Sequence, residues 1–537
     1  MKNILLVLIL LSFIFPSAKA VETEGLAPSE NILLAQRRAR NTKNVKRSRV
    51  RRTTKSPLSQ ALSYAKSGQY QIAAQALFKL SLDPRYKKQR MQIKYILGLM
   101  LYQMKFNQLS AFQFISVIKN MDPKYLKQSL EKLSLAADAL GDDTLLNYAI
   151  SRVQVEKFPR TMRDMLYYRI GEFQMRAKSY TKANQSFTRV RRSSSLFEKA
   201  KYLEALSYAE MNNTKKAIET FIDLYDSQAD KSVTNPARVS ALVGAARTYY
   251  QAKNWEKSIE LFRQVPRDTE IWHDTLFESS WAMLRSGQFR SALSNFQTIH
   301  SSFYDNFYLP EALLLRSIVY LYICKYDEME KVLNIFNEIY KPVYKDVRKY
   351  LKDVKLSAEI FDDVDAMMTE FKEKGEEMDK SKFRLPFIVG RQISKEGDFQ
   401  RSRQYIRKVE EELRRLYQMS SDWKNSSLGR YAERILKTRL DKARKKAGRQ
   451  LRRHLVNIRF ELFDLFEQEG FIRYEMLNGK KEMVKKKVAG KDLPKTIDEE
   501  QERDFFVQNG YQYWPFEGEY WLDELGNYHY LGTQSCE

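Results

Sequence analysis

Four histidines are the side chains best suited to acid–base or metal chemistry here, and their spacing fits neither. A zinc site needs histidine, cysteine or carboxylate ligands that recur at characteristic short intervals. The histidines stand far from one another and from any cysteine, at His273, His300, His454 and His529. The sequence also lacks a glycine-rich phosphate loop, a nucleophile elbow and an HExxH run. We therefore predict no metal and no cofactor, and assign His273 and His300 to packing or to the surface.

A group of carboxylates near the C-terminus is the one arrangement that resembles a catalytic site. Paired carboxylates beside aromatic rings occur in glycoside hydrolases. Here the acids follow a Trp-Pro-Phe run, and they are Glu517, Glu519, Asp523 and Glu524. A segment of about thirty residues cannot build a substrate cleft alone, and no cluster of histidine, lysine or arginine accompanies it. We predict that the chain is not an enzyme, and a catalytic module in 471–537 is the least favoured alternative.

The elements that position these side chains are indicated by a pattern that recurs through the middle of the chain. A small residue is followed after nine positions by a residue that is usually aromatic, then after three by a small one and after four by a large one. One such set is Gly171, Tyr180, Ala183 and Phe187, and further sets begin at Ala205, Ala246, Ser280 and Ser317. A period of about 20–50 residues is typical of a solenoid. Two antiparallel helices can cross closely where one of them carries small residues.

This pattern resembles the tetratricopeptide repeat (TPR). A first unit is formed by Ala61, Tyr64, Gly68, Tyr70, Ala73 and Leu77, and two degenerate units surround Gly98 and Ala137. The resemblance covers residues 58–340 with about eight units, and it implies an all-α fold with a TPR-like right-handed solenoid. In such arrays the first helix of each unit lines a concave, partner-binding surface. By position, that surface would carry Tyr168, Glu172, Arg176, Tyr202, Arg247, Tyr250, Phe277, Trp281 and Arg285.

The last third of the chain loses the repeat. We predict capping helices over 341–395 and a long, coiled-coil-like helical hairpin over 396–470, in which 399–419 pairs with 428–466. The remainder, 471–537, is dense in tyrosine and tryptophan near its end. Turn signals at Asn509-Gly510 and Gly526-Asn527 favour a small aromatic-rich β tail of two or three strands.

The N-terminus predicts export. Residues 1–20 combine an early lysine, an apolar run over 4–15 and a small-x-small site at Ala18-Lys19-Ala20, which is typical of a cleaved signal peptide. The expected location is the periplasm if the source is Gram-negative, or otherwise outside the cell. Of the two cysteines, we expect Cys324 to be a buried, inert thiol, whereas Cys536 could be free or pair between chains.

The chain is strongly basic, with a formal net charge of +25. Residues 21–57 are predicted to be a disordered linker, because a dense run of like charges does not fold. A second basic run lies on the predicted long helix. The residues that would contact an anionic surface are Arg37, Arg38, Arg40, Arg47, Arg49, Arg51, Arg52, Lys445, Lys446, Arg449, Arg452 and Arg453. The alternatives are a solvated linker, a solvated hairpin face or a docking rod for an acidic partner.

Together these features predict a non-catalytic scaffold that binds envelope proteins through its concave face. Its basic segments would contact an anionic membrane surface or a cell-wall polymer. The chain resembles exported TPR scaffolds of the outer-membrane assembly and gliding-motility type. The alternative is direct binding of a wall polymer or anionic lipid, with the array as a spacer. Nucleic acid would suit the charge but not the export signal, so we expect none. The oligomeric state stays open.

Overall fold

The fold is known from a computed structural model, which describes residues 56–141, 144–151, 153, 155, 158–228, 232–489 and 520–530. Within these residues the regular structure is helical and contains no strand. The predicted signal peptide, the arginines from Arg37 to Arg52 and most of the predicted β tail lie outside them. The predicted all-α fold is confirmed.

Sixteen helices follow one another as eight pairs. In chain order they are α1 (Pro57–Lys66) with α2 (Tyr70–Leu82), α3 (Arg90–Gln103) with α4 (Asn107–Lys119), α5 (Leu126–Leu140) with α6 (Thr144–Ile150), α7 (Arg160–Arg176) with α8 (Tyr180–Phe187), α9 (Phe197–Glu210) with α10 (Thr214–Ser227), α11 (Pro236–Gln251) with α12 (Trp255–Arg263), α13 (Trp272–Arg285) with α14 (Phe289–Ile299), and α15 (Pro310–Tyr322) with α16 (Tyr326–Asp353). The chain continues with α17 (Ser357–Lys374), α18 (Phe387–Ser394), α19 (Gly397–Tyr417), α20 (Ser421–Asn425) and α21 (Ser427–Val488).

In several pairs, buried small residues of the first helix and buried large residues of the second stand at the predicted separation. Ala205 and Phe221, sixteen positions apart in the sequence, are both buried, as are Ser280 and Phe296. At Gly171 the approach is closer still, because a β-carbon there would collide with the ring of Phe187. The recurring steps in the sequence thus mark helix crossings at close range.

The turn between paired helices is built in the same way along the array. The residue two positions before the second helix has a positive φ, as at Gly68 (75°), Lys178 (54°) and Lys253 (62°). The next residue donates its amide five positions back, as Asn254 does to Tyr249 at 3.0 Å. This is a Schellman ending, which satisfies the last carbonyls of the first helix. The turn therefore depends on a left-handed residue, and lysine occupies that position in several pairs.

The residues form two compact units. The first contains the described residues up to Arg163 together with Glu396–Ala447, and the second contains Asp164–Lys395 with those from Gly448 onward. In the first unit, Val409 and Leu416 of α19 share a core with Leu77 of α2 and Leu436 of α21. The carboxylate of Glu412 accepts the amide of Gln108 at 2.8 Å, in the first turn of α4.

In the second unit, the latter part of α21 packs along α16. Phe466 meets the rings of Phe336 and Tyr344, with centroids 5.3 and 5.8 Å away. Farther along, Lys480 pairs with Glu330 at 2.7 Å. The helix α21 runs for 62 residues, well past the predicted end at residue 466, and ion pairs with α16 accompany its last turns.

Two other features differ from the sequence-based expectation. The helix α16 continues past residue 341 with Pro342 inside it. Its buried residues on both sides of that proline, including Tyr340 and Val343, hold it against its neighbours. The strands expected in the tail are not seen in the described residues 520–530, which form turns.

Candidate protein-binding surface

Two tyrosines predicted to bind a partner belong instead to the core. Tyr168 and Tyr202 are 9% and 5% exposed. Their rings lie 6.2 Å from Phe187 and 5.5 Å from Phe221, the large residues of the helix crossings. The prediction that these two side chains line an open surface is wrong, because each ring fills the space beside its own crossing.

Arg247 was also predicted to face a partner, but it is held within the array. Its Nε donates to Oε2 of Glu278 at 2.6 Å, and its Nη2 bonds the other carboxylate oxygen. The two residues lie on α11 and α13, the first helices of consecutive pairs. Burial raises the pKa of Glu278, and the nearby Arg247 opposes that rise. The forked, largely buried ion pair therefore links neighbouring units rather than offering a charge to a ligand.

The remaining predicted residues are exposed or half-buried, so part of each side chain is accessible to solvent. Arg176 and Arg285 are exposed, and the guanidinium of Arg285 lies 5.9 Å from the ring centroid of half-buried Trp281. Glu172 accepts a bond from Arg169 at 3.0 Å. Half-buried Phe277 and Tyr250 are the other two, and the ring of Tyr250 meets Trp255 edge-on at 4.9 Å.

One exposed aromatic residue on a first helix is missing from the prediction. Phe173 lies next to Glu172 on α7 and is 57% exposed. Its sequence neighbours provide no signal, because polar and apolar residues are mixed almost evenly around the helix. A solvent-exposed phenylalanine on a first helix, close to Arg176 in sequence, is a natural anchor for a partner.

The basic residues of α21 have different environments. Lys446, Arg449 and Arg453 are exposed, and Lys445 pairs with Asp441 at 2.9 Å. Arg452 instead donates to the backbone oxygens of Val354 and Leu351, at 2.9 and 3.2 Å. The guanidinium of Arg452 thus satisfies carbonyls at the end of α16, and its contact with an anionic surface stays a prediction.

A second contact surface lies on α14, the second helix of its pair, where it binds the tail of the same chain. Thr298 accepts the amide of Gly526 at 2.8 Å, and Ser294 accepts the amide of Tyr530 at 3.0 Å. Leu525 is buried. A β-carbon on Gly526 would lie 2.7 Å from Trp272. These repeats therefore bind a non-helical segment of their own chain through side-chain hydroxyls that accept its backbone amides.

Several buried titratable groups lie outside the predicted binding surface. Over the described residues, no group of three or more histidine, cysteine or acidic side chains could hold a metal ion. Burial lowers the pKa of His273 to about 3, and its ring packs 4.1 Å from that of Phe307. Burial also raises the pKa of Glu311 and of Glu461 to about 7. No sequence signal indicated these neighbouring carboxylates, which lie 150 positions apart.

Cys324 differs from the inert thiol that was expected. It is disulfide-bonded, and it occupies the positive-φ position of the turn before α16. That turn leaves the residue half-buried rather than enclosed, so its sulfur can reach a partner. The other cysteine, Cys536, lies outside the described residues.

The paired helices define the class of this protein, an all-α repeat array. Residues 202–270 match the family model described as "Tetratricopeptide repeat", and the fold is a TPR-like solenoid. No curated protein matches the chain. Among the described residues, no helix is long and apolar enough to cross a membrane.

Several solved structures share segments of this fold. A putative kinesin light chain TPR-like repeat protein from Podosopora anserina is 14% identical, covering 34% of this chain and 96% of that one, with a TM-score of 0.30. A mutant of the protein MamA is 16% identical over 34% and 99%, with a TM-score of 0.27. The TPR domain of P58(IPK) is 10% identical over 71% and 98%, with a TM-score of 0.18. At these scores the similarities carry no argument about function.

Proposed function

We propose that this chain is an exported, non-catalytic scaffold that binds an acidic segment of an envelope protein on the first helices of its repeats. The observation that carries the proposal is a set of aromatic and arginine side chains, exposed or half-buried, on α7 and α13. They are Phe173, Arg176, Trp281 and Arg285. Aromatic residues and arginine supply most of the binding energy in protein interfaces.

The charge of this surface favours an acidic partner. Three acids of the same helices are already engaged, since Glu278 pairs with Arg247 and Asp164 pairs with Arg191 at 2.7 Å. Glu172 is likewise bonded to Arg169. Arg176 and Arg285 are solvent-exposed and add positive charge to these helices, which favours carboxylates of a partner, while Phe173 and Trp281 provide apolar contact area.

Two features support export. Residues 1–20 have the pattern of a cleaved signal peptide. The disulfide at Cys324 is of the kind that persists in oxidising compartments and is rare in the cytosol. A periplasmic or secreted location accounts for both.

The basic segments would hold the scaffold to an anionic surface. Lys446, Arg449 and Arg453 are exposed on α21, and the arginines from Arg37 to Arg52 form a longer run of like charge. Each basic residue near an anionic membrane contributes about 1 kcal/mol. The same charges favour the second candidate function, direct binding of a wall polymer with the repeats as a spacer.

Site-specific photo-crosslinking tests the proposed surface. A benzophenone amino acid is placed at Phe173, at Trp281 or, as a control, at exposed Lys215 on the second helix α10. The same partner should be captured from the first two positions and not from the third. Capture should fall when Arg176 and Arg285 are both changed to glutamate. Equal capture from Lys215, or capture that is unchanged in the Arg176→Glu/Arg285→Glu variant, would show that this surface does not bind the partner.

A binding assay separates the two candidate functions. The chain from residue 21 onward is mixed with purified peptidoglycan and, separately, with envelope extract. Retention by the polymer alone, lost on deletion of 37–55, favours the spacer function. Retention from extract that survives this deletion but is lost on Arg176→Glu/Arg285→Glu favours the scaffold.

A further inference from the structure

The outer side of α21 carries an apolar stripe that the fold leaves uncovered. Its apolar members are Phe460, Phe463, Tyr474, Leu477, Val484 and Val488, each between 47% and 83% exposed. They lie on a different side of the helix from buried Glu469, which accepts a hydrogen bond from Asn337 of α16. A contiguous exposed apolar surface of this kind marks an interaction site.

The spacing of this outer stripe fits a helical partner. From Phe460 onward, positions separated alternately by three and four residues reach Val488, a repeat of 3.5 residues per turn. Such a repeat keeps one seam facing another helix along its length, which is the requirement of a coiled coil. Three positions of the seam are not apolar, and they are Glu467, Gly470 and Lys481.

Gly470 is unexplained by the fold of a single chain. Glycine in the middle of a helix costs about 1 kcal/mol relative to alanine. In the same helix, Gly448 and Gly479 are needed because a β-carbon would collide with Ser357 and Tyr326. A β-carbon at Gly470 would meet nothing within 4 Å. Among the described residues, therefore, no packing contact accounts for this glycine.

The charges along the stripe select the partner and its direction. Residues 460–475 contain five acids and one arginine, whereas residues 476–488 contain five lysines and one acid. On the solvent side, Asp464, Glu467 and Glu475 are exposed, as are Lys481 and Lys486. Exposed acids on the seam oppose an anionic membrane. A second copy running in the opposite direction places each acidic half on a basic half.

We infer that two copies of this chain associate through an antiparallel pairing of residues 460–488 of α21. Where Tyr474 faces Leu477 of the second copy, Lys481 of that copy crosses the backbone at Gly470. Its ammonium group then lies within reach of Glu467, one turn away. The same register places Phe463 against Val488 of the second copy, so the two charged seam positions lie close to each other and the apolar positions from Phe463 to Val488 are covered.

Light scattering of the chain from residue 21 onward, separated by size, tests this inference. The chain should elute as a dimer, and Leu477→Glu should yield the monomer. The matched control is Ile72→Glu, at a residue that is 48% exposed on α2, and it should leave the dimer intact. Helical content by circular dichroism should be unchanged in both variants.

A charge exchange tests the direction of the pairing. Glu467→Lys should weaken the dimer, and adding Lys481→Glu in the same chain should restore it, because only an antiparallel pair brings the two positions together. Gly470→Leu should weaken association while raising the thermal stability of the monomer. Failure of the double variant to recover would overturn the antiparallel arrangement.

Three other outcomes would overturn the proposal as a whole. One is a parent chain that stays monomeric at the highest concentration reached. Another is a monomer in which the backbone amides of the stripe exchange with deuterium only after deletion of 490–519. That result would mean that residues 490–519 of the same chain cover the stripe. The third is a monomer that binds phosphatidylglycerol vesicles and loses this binding on Leu477→Glu.

Discussion

The guanidinium of Arg247 and the carboxylate of Glu278 form a two-bond ion pair between the first helices of consecutive repeat units. Both side chains are largely buried, at 12% and 13% exposure. The pair fixes how α11 and α13 lie against each other. Removal of one member would leave the other charge largely buried without this partner, which makes the pair sensitive to mutation.

Arg247→Ala should therefore strongly lower the free energy of unfolding of the second compact unit, which contains residues 164–395. A broken buried ion pair costs about 3–5 kcal/mol, and urea unfolding followed by circular dichroism would measure the loss. Arg247→Met/Glu278→Leu, which removes both charges and keeps the volume, should recover most of the stability. If the single and double variants unfolded alike, the ion pair would not be the cause.

The left-handed turn residues offer a gain in stability. Lys178 and Lys253 have φ values of 54° and 62°, a conformation that costs a non-glycine residue about 1–2 kcal/mol. Lys178→Gly and Lys253→Gly should each raise the midpoint of thermal unfolding. Lys253→Ala is the matched control, because it removes the side chain but keeps the strain.

Replacing a glycine at this turn position with a residue that has a side chain should lower stability. Gly287 has a φ of 75° in the equivalent turn before α14, and a β-carbon there would meet nothing within 4 Å. Gly287→Ala should therefore lower the unfolding midpoint through backbone conformation alone. A neutral effect at Gly287, together with no gain at Lys253, would contradict this account of the turns.

Glu412 should make the first unit less stable as pH rises. Burial raises the pKa of its carboxyl from 4.5 to about 8, despite the amide of Gln108. Between these two values the unfolded state loses a proton that the folded state keeps, so rising pH favours unfolding. Glu412→Gln cannot ionise and retains an acceptor for Gln108.

The measurement is the difference in unfolding free energy between the parent and the variant from about pH 4 to about pH 9, which spans both pKa values. Relative to the parent, Glu412→Gln should gain stability progressively across that window. Glu411→Gln, at the adjacent and more exposed position on α19, serves as the control and should not reproduce the gain. A constant difference between parent and Glu412→Gln would exclude a titrating carboxyl at this position.

The oxidation state of Cys324 tests the expected compartment. In protein isolated from the envelope fraction, Cys324 should resist alkylation until a reductant is added, as mass spectrometry of its peptide would show. Since Cys536 is the other cysteine of the sequence, a bond within one chain would join these two. Ready alkylation of Cys324 in the untreated envelope protein would contradict the disulfide and weaken the case for export.

The repeat could be predicted because its main constraint is local. The small and large residues of a crossing, such as Ala205 and Phe221, stand at a fixed separation in sequence. The same separation runs from Gly98 to Phe114, in a unit that had seemed degenerate by its other residues. A pattern that depends on helix-to-helix distance is thus preserved where the turn chemistry varies.

The binding surface was harder to predict because a residue type does not reveal its partners. Arg247 and Tyr202 have the chemistry of interface residues, but Glu278 and Phe221 engage them inside the array. Arg452 resembles its basic neighbours in sequence, and only the position of α16 shows that it bonds carbonyl groups. In each of these cases, a contact with a segment distant in sequence determines whether the side chain is available to a partner.

The first unit joins segments that are far apart along the chain, and this arrangement imposes an order on biogenesis. Trp423 stacks on Phe106 with ring centroids 5.8 Å apart, so the ring of Phe106 stays uncovered until residues some three hundred positions later have been made. A polypeptide synthesised from its N-terminus would therefore lack that contact until the later segment is made. During this interval the apolar surface of the early repeats would be open to aggregation or misassembly.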